Sequence, residues 1–183
     1  GKGMSNTNGR GDSSAPITIS RRDFIKSATT LVGVAAVGPA GDLAPEGEFY
    51  LTGHAHIDLS WLWPRSETIH EVCPLTFRSV LTLMDKYPDF IFAQSAAQVY
   101  QWTERYYPDI FAQIRKRVAA GRWEIVGGSW DEHNTDIPCG ESLVRQYLYS
   151  KLYFKDKFGV DIKLAWLPDV FGFSWNMPQI FRK

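Results

Sequence analysis

The chain carries no excess of either charge: 20 Lys and Arg balance 20 Asp and Glu over 183 residues. With no basic face or acidic block to offer, it gives a phosphate backbone nothing to bind, so nucleic acid is not an expected partner. Cysteine is scarce. Cys73 and Cys139 belong to no CxxC pair and make no disulfide framework, although a single bridge between them is compatible with the sequence. Cys73 lies among apolar residues of an expected helix and reads as a buried, inert thiol. Long hydrophobic runs are missing too. The most apolar stretch, within residues 27–40, is about fifteen residues long and broken by glycines, too short to span a bilayer. Histidine is the last scarcity: with four in the whole chain, two of them close together carry information.

What is present is globular. At 44% hydrophobic and 14% aromatic the chain is too apolar for a disordered protein, and 183 residues suffice for one good-sized core. Aromatic richness in a neutral chain suits a neutral, partly apolar ligand such as a sugar.

The N-terminal part reads as an address. Residues 1–19 are rich in Gly, Ser, Asn and Thr and are expected to be a disordered tail, with Met4 as the start and the Arg-Gly-Asp at 10–12 a chance tripeptide. Residues 20–41 open with Ser20-Arg-Arg-Asp-Phe-Ile-Lys26 and continue into a modest apolar region ending near Gly38-Pro-Ala40. Twin arginines, an apolar residue two positions on and small residues at a cleavage site match a Tat export signal. The expected location is therefore periplasmic or extracellular, with no membrane anchor after signal cleavage. Residues 42–48 form a linker.

From 49 to 183 the pattern alternates. Strands are expected at 49–55, 90–93, 123–126 and 162–166, and helices at 68–86, 98–106, from Pro108 to about Gly121, and 140–158, with a last helix opening at Met177. In the helix at 68–86 the apolar positions are Ile69, Val72, Leu75, Phe77, Val80, Leu81 and Met84. Alternation of this kind gives an α/β fold with a parallel sheet or barrel, whose site is built by loops at the carboxyl ends of the strands. Three such loops are unusually polar or glycine-rich: 54–63, 127–136 and 168–174.

The first loop opens with Gly53-His-Ala-His-Ile-Asp-Leu-Ser-Trp-Leu-Trp-Pro64. Side chains alternate along a strand, so His54, His56 and Asp58 are expected on one face. Imidazole nitrogen and carboxylate oxygen are ligands for zinc or another divalent cation. Trp61 and Trp63 add flat surfaces for stacking. Asp169, fixed between Pro168 and Val170-Phe-Gly after the fourth strand, is placed to join His56 and Asp58 around one metal; capping of the following helix is its bland alternative.

Three segments in order, His54-Ala-His-Ile-Asp-Leu-Ser-Trp61, Gly127-Gly-Ser-Trp130 with Pro138-Cys-Gly-Glu-Ser-Leu-Val-Arg-Gln146, and Trp166-Leu-Pro-Asp-Val-Phe-Gly-Phe-Ser174, resemble glycoside hydrolase family 38, the class II α-mannosidases. The resemblance covers the chain from about Tyr50 onward. It implies the N-terminal part of a (β/α) barrel, a catalytic zinc, and retaining hydrolysis of terminal α-mannosidic linkages in an oligosaccharide or glycan. It further implies His56, Asp58 and Asp169 as metal ligands, Asp169 as the nucleophile, Trp61 as the platform under the sugar with Phe171 beside it, and His54 as a supporting residue. The family's general acid and remaining histidine ligand match no position here, so the chain is expected to be a fragment, inactive alone. His70, inside a helix, is not promoted. The loop after the third strand departs from the family: Asn134 stands where aspartate is usual, Asp136 where asparagine is, and Cys139 for serine. His133 is read as an exposed loop histidine, with a specificity role as the alternative. Competing readings are another metal-dependent barrel hydrolase or deacetylase, in which the metal activates water, and a non-catalytic carbohydrate-binding protein.

Overall fold

Short β-favouring runs separated by amphipathic helices produce three parallel strands, β1 (Gly53–His54), β2 (Phe92–Gln94) and β3 (Trp123–Ile125). They lie in the order β1-β2-β3, with Gly53 opposite Phe92 and Ala93 opposite Glu124. The computed structural model describes residues 51–182. The tail, export signal and linker expected at 1–48, and the start of the first expected strand, lie outside them.

The helices are α1 (Cys73–Lys86), α2 (Ala97–Tyr106), α3 (Pro108–Ala119), α4 (Gly140–Phe158) and α5 (Met177–Arg182). A short helical turn at Arg65–Glu67 and a π-helical turn at Thr68–Val72 lead into α1. Pro74 explains the wider turn. Its ring cannot donate to the carbonyl of His70 and crowds it, and that carbonyl instead accepts from the Tyr107 hydroxyl at 3.4 Å. Leu75 departs from the expected core face, being 70% exposed, whereas Cys73 is buried as expected. α4 keeps its expected bounds. It stops where Gly159, at φ 71°, adopts the left-handed conformation that only glycine takes readily.

The core forms where α1 to α4 cover the sheet. Phe77, Val80, Leu81 and Met84 of α1 recur at helical spacing and are buried. Phe77, Tyr100, Trp123 and Phe154 meet at centroid separations of 5.2–6.4 Å, mostly edge to face. The polar atoms in this cluster are satisfied: the Trp123 indole donates to the Tyr100 hydroxyl at 2.9 Å, and that hydroxyl donates to the Gln94 carbonyl at 3.1 Å.

Every strand is shorter than expected, β2 and β3 by one residue and the other two by more. Residues 51 and 52 are exposed coil, so β1 begins only where the Gly53 amide reaches the Ile91 carbonyl. The expected fourth strand reduces to one parallel bridge, Gly127 with Ala165, in which Gly127 at φ 92° also packs against Trp166. A Cβ on Gly127 would lie 3.1 Å from Ser95 Cβ and 3.2 Å from the Trp166 carbonyl, so the close approach requires glycine. Among the described residues, no helix is long and apolar enough to cross a membrane.

Candidate metal centre

The site grows from the carboxyl ends of the strands. β1 ends at His54, and the chain leaves the sheet before His56, so strand alternation does not hold across the motif. His54 turns into the sheet: Nδ1 donates to the Ala93 carbonyl at 3.0 Å, and Nε2 accepts from the Trp166 indole at 3.2 Å. Both ring nitrogens are occupied, which leaves no lone pair for a metal.

His56 is brought to its partners by the loop instead. Its Nε2 lies 3.2 Å from Asp58 Oδ1 and 3.4 Å from Asp169 Oδ2. One donor atom from each of His56, Asp58 and Asp169 falls within 4.8 Å of the others. One imidazole nitrogen and two carboxylate oxygens are a donor set that suits zinc or another divalent cation. The three residues expected to share a metal therefore fit one. Capping does not account for Asp169, because its carboxylate faces His56.

Glu132 completes the arrangement, and the motif reading did not single it out. Its carboxylate, 9% exposed, receives the Asp169 backbone N–H on Oε1 at 2.6 Å and faces His56 Nδ1 with Oε2 at 2.7 Å. Burial pulls the pKa of His56 down, but the charges and hydrogen bonds of Glu132 and Asp58 outweigh it, and the net shift is upward from 6.5.

The loop carrying Glu132 is held on both sides. The first amides of α2, which lack partners inside their own helix, donate to the carbonyls of Ser129 and Trp130. The Trp130 indole donates to Gln98 Oε1 at 2.9 Å, and the Asp131 amide to Gln146 Oε1 at 3.0 Å. Further along, Thr135 donates to the Gly172 carbonyl at 2.7 Å, tying this loop to the one that carries Asp169.

The remaining expected residues divide. Trp61 is 69% exposed and Phe171 83% exposed, each offering a bare ring to solvent. Trp63 is not a free stacking surface: its indole donates to Thr68 Oγ1, which donates onward to the carbonyls of Asp58 and Leu59 and so staples the loop. His133 is buried, not exposed, because its Nδ1 turns back to the Asp131 carbonyl and its ring sits edge-on to Tyr147. Asn134 spends its side-chain carbonyl on the amides of Asp136 and Ile137, a turn an aspartate would make equally well. His70 is exposed against Tyr106 and Tyr107. Cys73 is buried and Cys139 exposed, both free.

Comparison with known proteins places the chain in a family. Residues 46–183 match the profile of the glycosyl hydrolases family 38 N-terminal domain. Alpha-mannosidase G of Dictyostelium discoideum is 42% identical over 133 residues, which is 73% of this chain and 12% of that protein. Alpha-mannosidase 2C1 of Homo sapiens is 41% identical over 133 residues, 73% of this chain and 13% of the relative. The crystal structure of an alpha-mannosidase from Enterococcus faecalis V583 superposes with a TM-score of 0.64 at 26% identity, covering 72% of this chain and 15% of that one. The chain thus spans about an eighth of the length of the curated relatives it matches. On the family match over residues 46–183, this chain belongs to glycosyl hydrolase family 38.

Proposed function

We propose that this chain supplies the metal centre and the nucleophile of an enzyme that hydrolyses terminal α-mannosidic linkages with retention of configuration. The observation that carries the reading is the convergence of His56 Nε2 with the carboxylates of Asp58 and Asp169 from two separate loops. His56, Asp58 and Asp169 would hold a zinc or similar divalent ion, which when bound supplies positive charge to sugar hydroxyls and keeps nearby carboxylates ionised. Asp169 then attacks the anomeric carbon: a bond forms from its carboxylate oxygen to that carbon as the glycosidic bond breaks, and the leaving oxygen takes a proton from an acid. Water later releases the sugar, with the same acid acting as base. Asp169 is half exposed, which leaves its carboxylate accessible to a substrate. Trp61 and Phe171 present the flat apolar surfaces on which the faces of a pyranose ring stack.

The sequential parallel strands with their covering helices are one arc of a (β/α) barrel in this reading. The paired arginines at 21 and 22 and the apolar residues after them support export by the Tat route to the periplasm or beyond.

The test uses the longest polypeptide encoded with this chain, assayed on an aryl α-mannoside. Asp169→Asn should abolish turnover while leaving sugar binding measurable, and a fluorinated mannoside should label the unsubstituted protein at Asp169. Normal rates in the Asn variant would remove Asp169 as nucleophile and favour a hydrolase that activates water on the metal.

A further inference from the structure

We propose that Glu132 is the positioning residue of the metal centre: it fixes His56 as the Nδ1–H tautomer and fixes the Asp169 turn, so that both face one point. The inference rests on the metal-site reading above and adds to it a residue with a role of its own. The geometry is specific. The two carboxylate oxygens are divided, Oε2 to His56 Nδ1 at 2.7 Å and Oε1 to the Asp169 amide at 2.6 Å. A carboxylate only accepts, so the neutral imidazole that faces it carries its proton on Nδ1 and its lone pair on Nε2. In that tautomer the lone pair is directed at Asp58 and Asp169, and one imidazole nitrogen with two carboxylate oxygens is a set that a divalent cation would join. One side chain thus couples the first and fourth strand-end loops through the third.

The surroundings show that Glu132 is placed. Its loop is anchored by α2 through the Ser129 and Trp130 carbonyls and by α4 through Gln146. Its near-complete burial leaves its oxygens few competitors from water. A carboxylate behind a ligating histidine fixes ring orientation and strengthens the ligand, and its loss typically costs about 10- to 100-fold in metal affinity.

Glu132→Gln separates this role from simple space-filling. The Asp169 amide must donate to the Gln carbonyl oxygen, which turns the Gln amide group toward His56 Nδ1. A donor facing Nδ1 drives the ring proton to Nε2 and takes the lone pair away from the metal point. Zinc titration of the full 183-residue chain by calorimetry, together with long-range 1H–15N spectra of the metal-free chain at a pH above the titration of His56, reads both effects. Expected are an Nδ1–H tautomer in the unsubstituted chain, an Nε2–H tautomer in Glu132→Gln, and zinc binding weakened about 10- to 100-fold. Glu132→Asp keeps the charge but not the reach, and is expected to weaken binding as well. Unchanged tautomer and unchanged zinc affinity in Glu132→Gln would overturn the assignment, provided His56→Ala abolishes binding. Zinc binding that survives His56→Ala would instead sink the metal-site reading itself, and the tautomer spectra would still decide whether Glu132 orients the ring.

Discussion

Replacing His54 by alanine separates a strut from a ligand. The side chain makes two hydrogen bonds, to the Ala93 carbonyl at 3.0 Å and from the Trp166 indole at 3.2 Å, and packs edge-on against the Trp166 ring at 5.3 Å. A hydrogen bond contributes about 0.5–1.5 kcal/mol net, so the pair contributes about 1–3 kcal/mol. His54 is half-buried and Trp166 partly exposed, so water takes over part of the lost bonding and a cost of about 1–2 kcal/mol is expected. Urea unfolding of the metal-free chain measures it. The loss should fall on the first and fourth strand-end segments, and circular dichroism should show the helices intact. Zinc affinity should stay within about tenfold of the unsubstituted chain, because both ring nitrogens of His54 bond to Ala93 and Trp166 and not to the three converging residues. Unchanged stability, or a loss of affinity beyond about 100-fold, would refute the assignment of both ring nitrogens to the scaffold.

Other substitutions probe the frame that carries the site. Tyr100→Phe keeps the ring and removes one oxygen. The Gln94 carbonyl keeps the Val126 amide as a partner, whereas the Trp123 indole N–H is left buried and unpaired, so unfolding should cost about 1–3 kcal/mol less; a change below the error of a denaturant titration would contradict the network. Burial pushes the Cys73 thiol from 9.0 up to about 12. Between those values the unfolded chain binds fewer protons than the folded one, so this thiol's contribution to stability is lost as pH rises above 9. Cys73→Ala should flatten that part of the stability profile. At neutral pH a thiol reagent should label Cys139 and spare Cys73 until the chain unfolds; equal labelling of both in the folded protein would place Cys73 at the surface.

The helices were legible because each needed only local information. Phe77, Val80, Leu81 and Met84 repeat at helical spacing, Pro108 opens α3, and Gly159 ends α4. What periodicity could not carry was pairing between distant segments. Leu51 and Leu164 lie in apolar runs expected as strands, yet both stay exposed, because a strand exists only as far as its neighbours reach. The metal set was legible for a different reason: histidine and aspartate are informative types, and they stood after expected strands. Even there the mechanism differed, since the chain leaves the sheet at His54 and the loop turns His56 and Asp58 together. Glu132 was missed because a glutamate in a loop next to Asp131 resembles any solvated charge. The signal that would have found it is position: it lies in one of three strand-end loops, 127–136, and the other two supply all three residues of the cluster.

Zinc-edge anomalous diffraction from crystals of the metal-loaded chain tests the central claim most directly. The predicted result is one strong peak about 2.0–2.2 Å from His56 Nε2 and from one carboxylate oxygen each of Asp58 and Asp169, with Glu132 still bonded to His56 Nδ1. A peak bound to His54, to His133, or to Asp58 and Asp169 without His56 would contradict it.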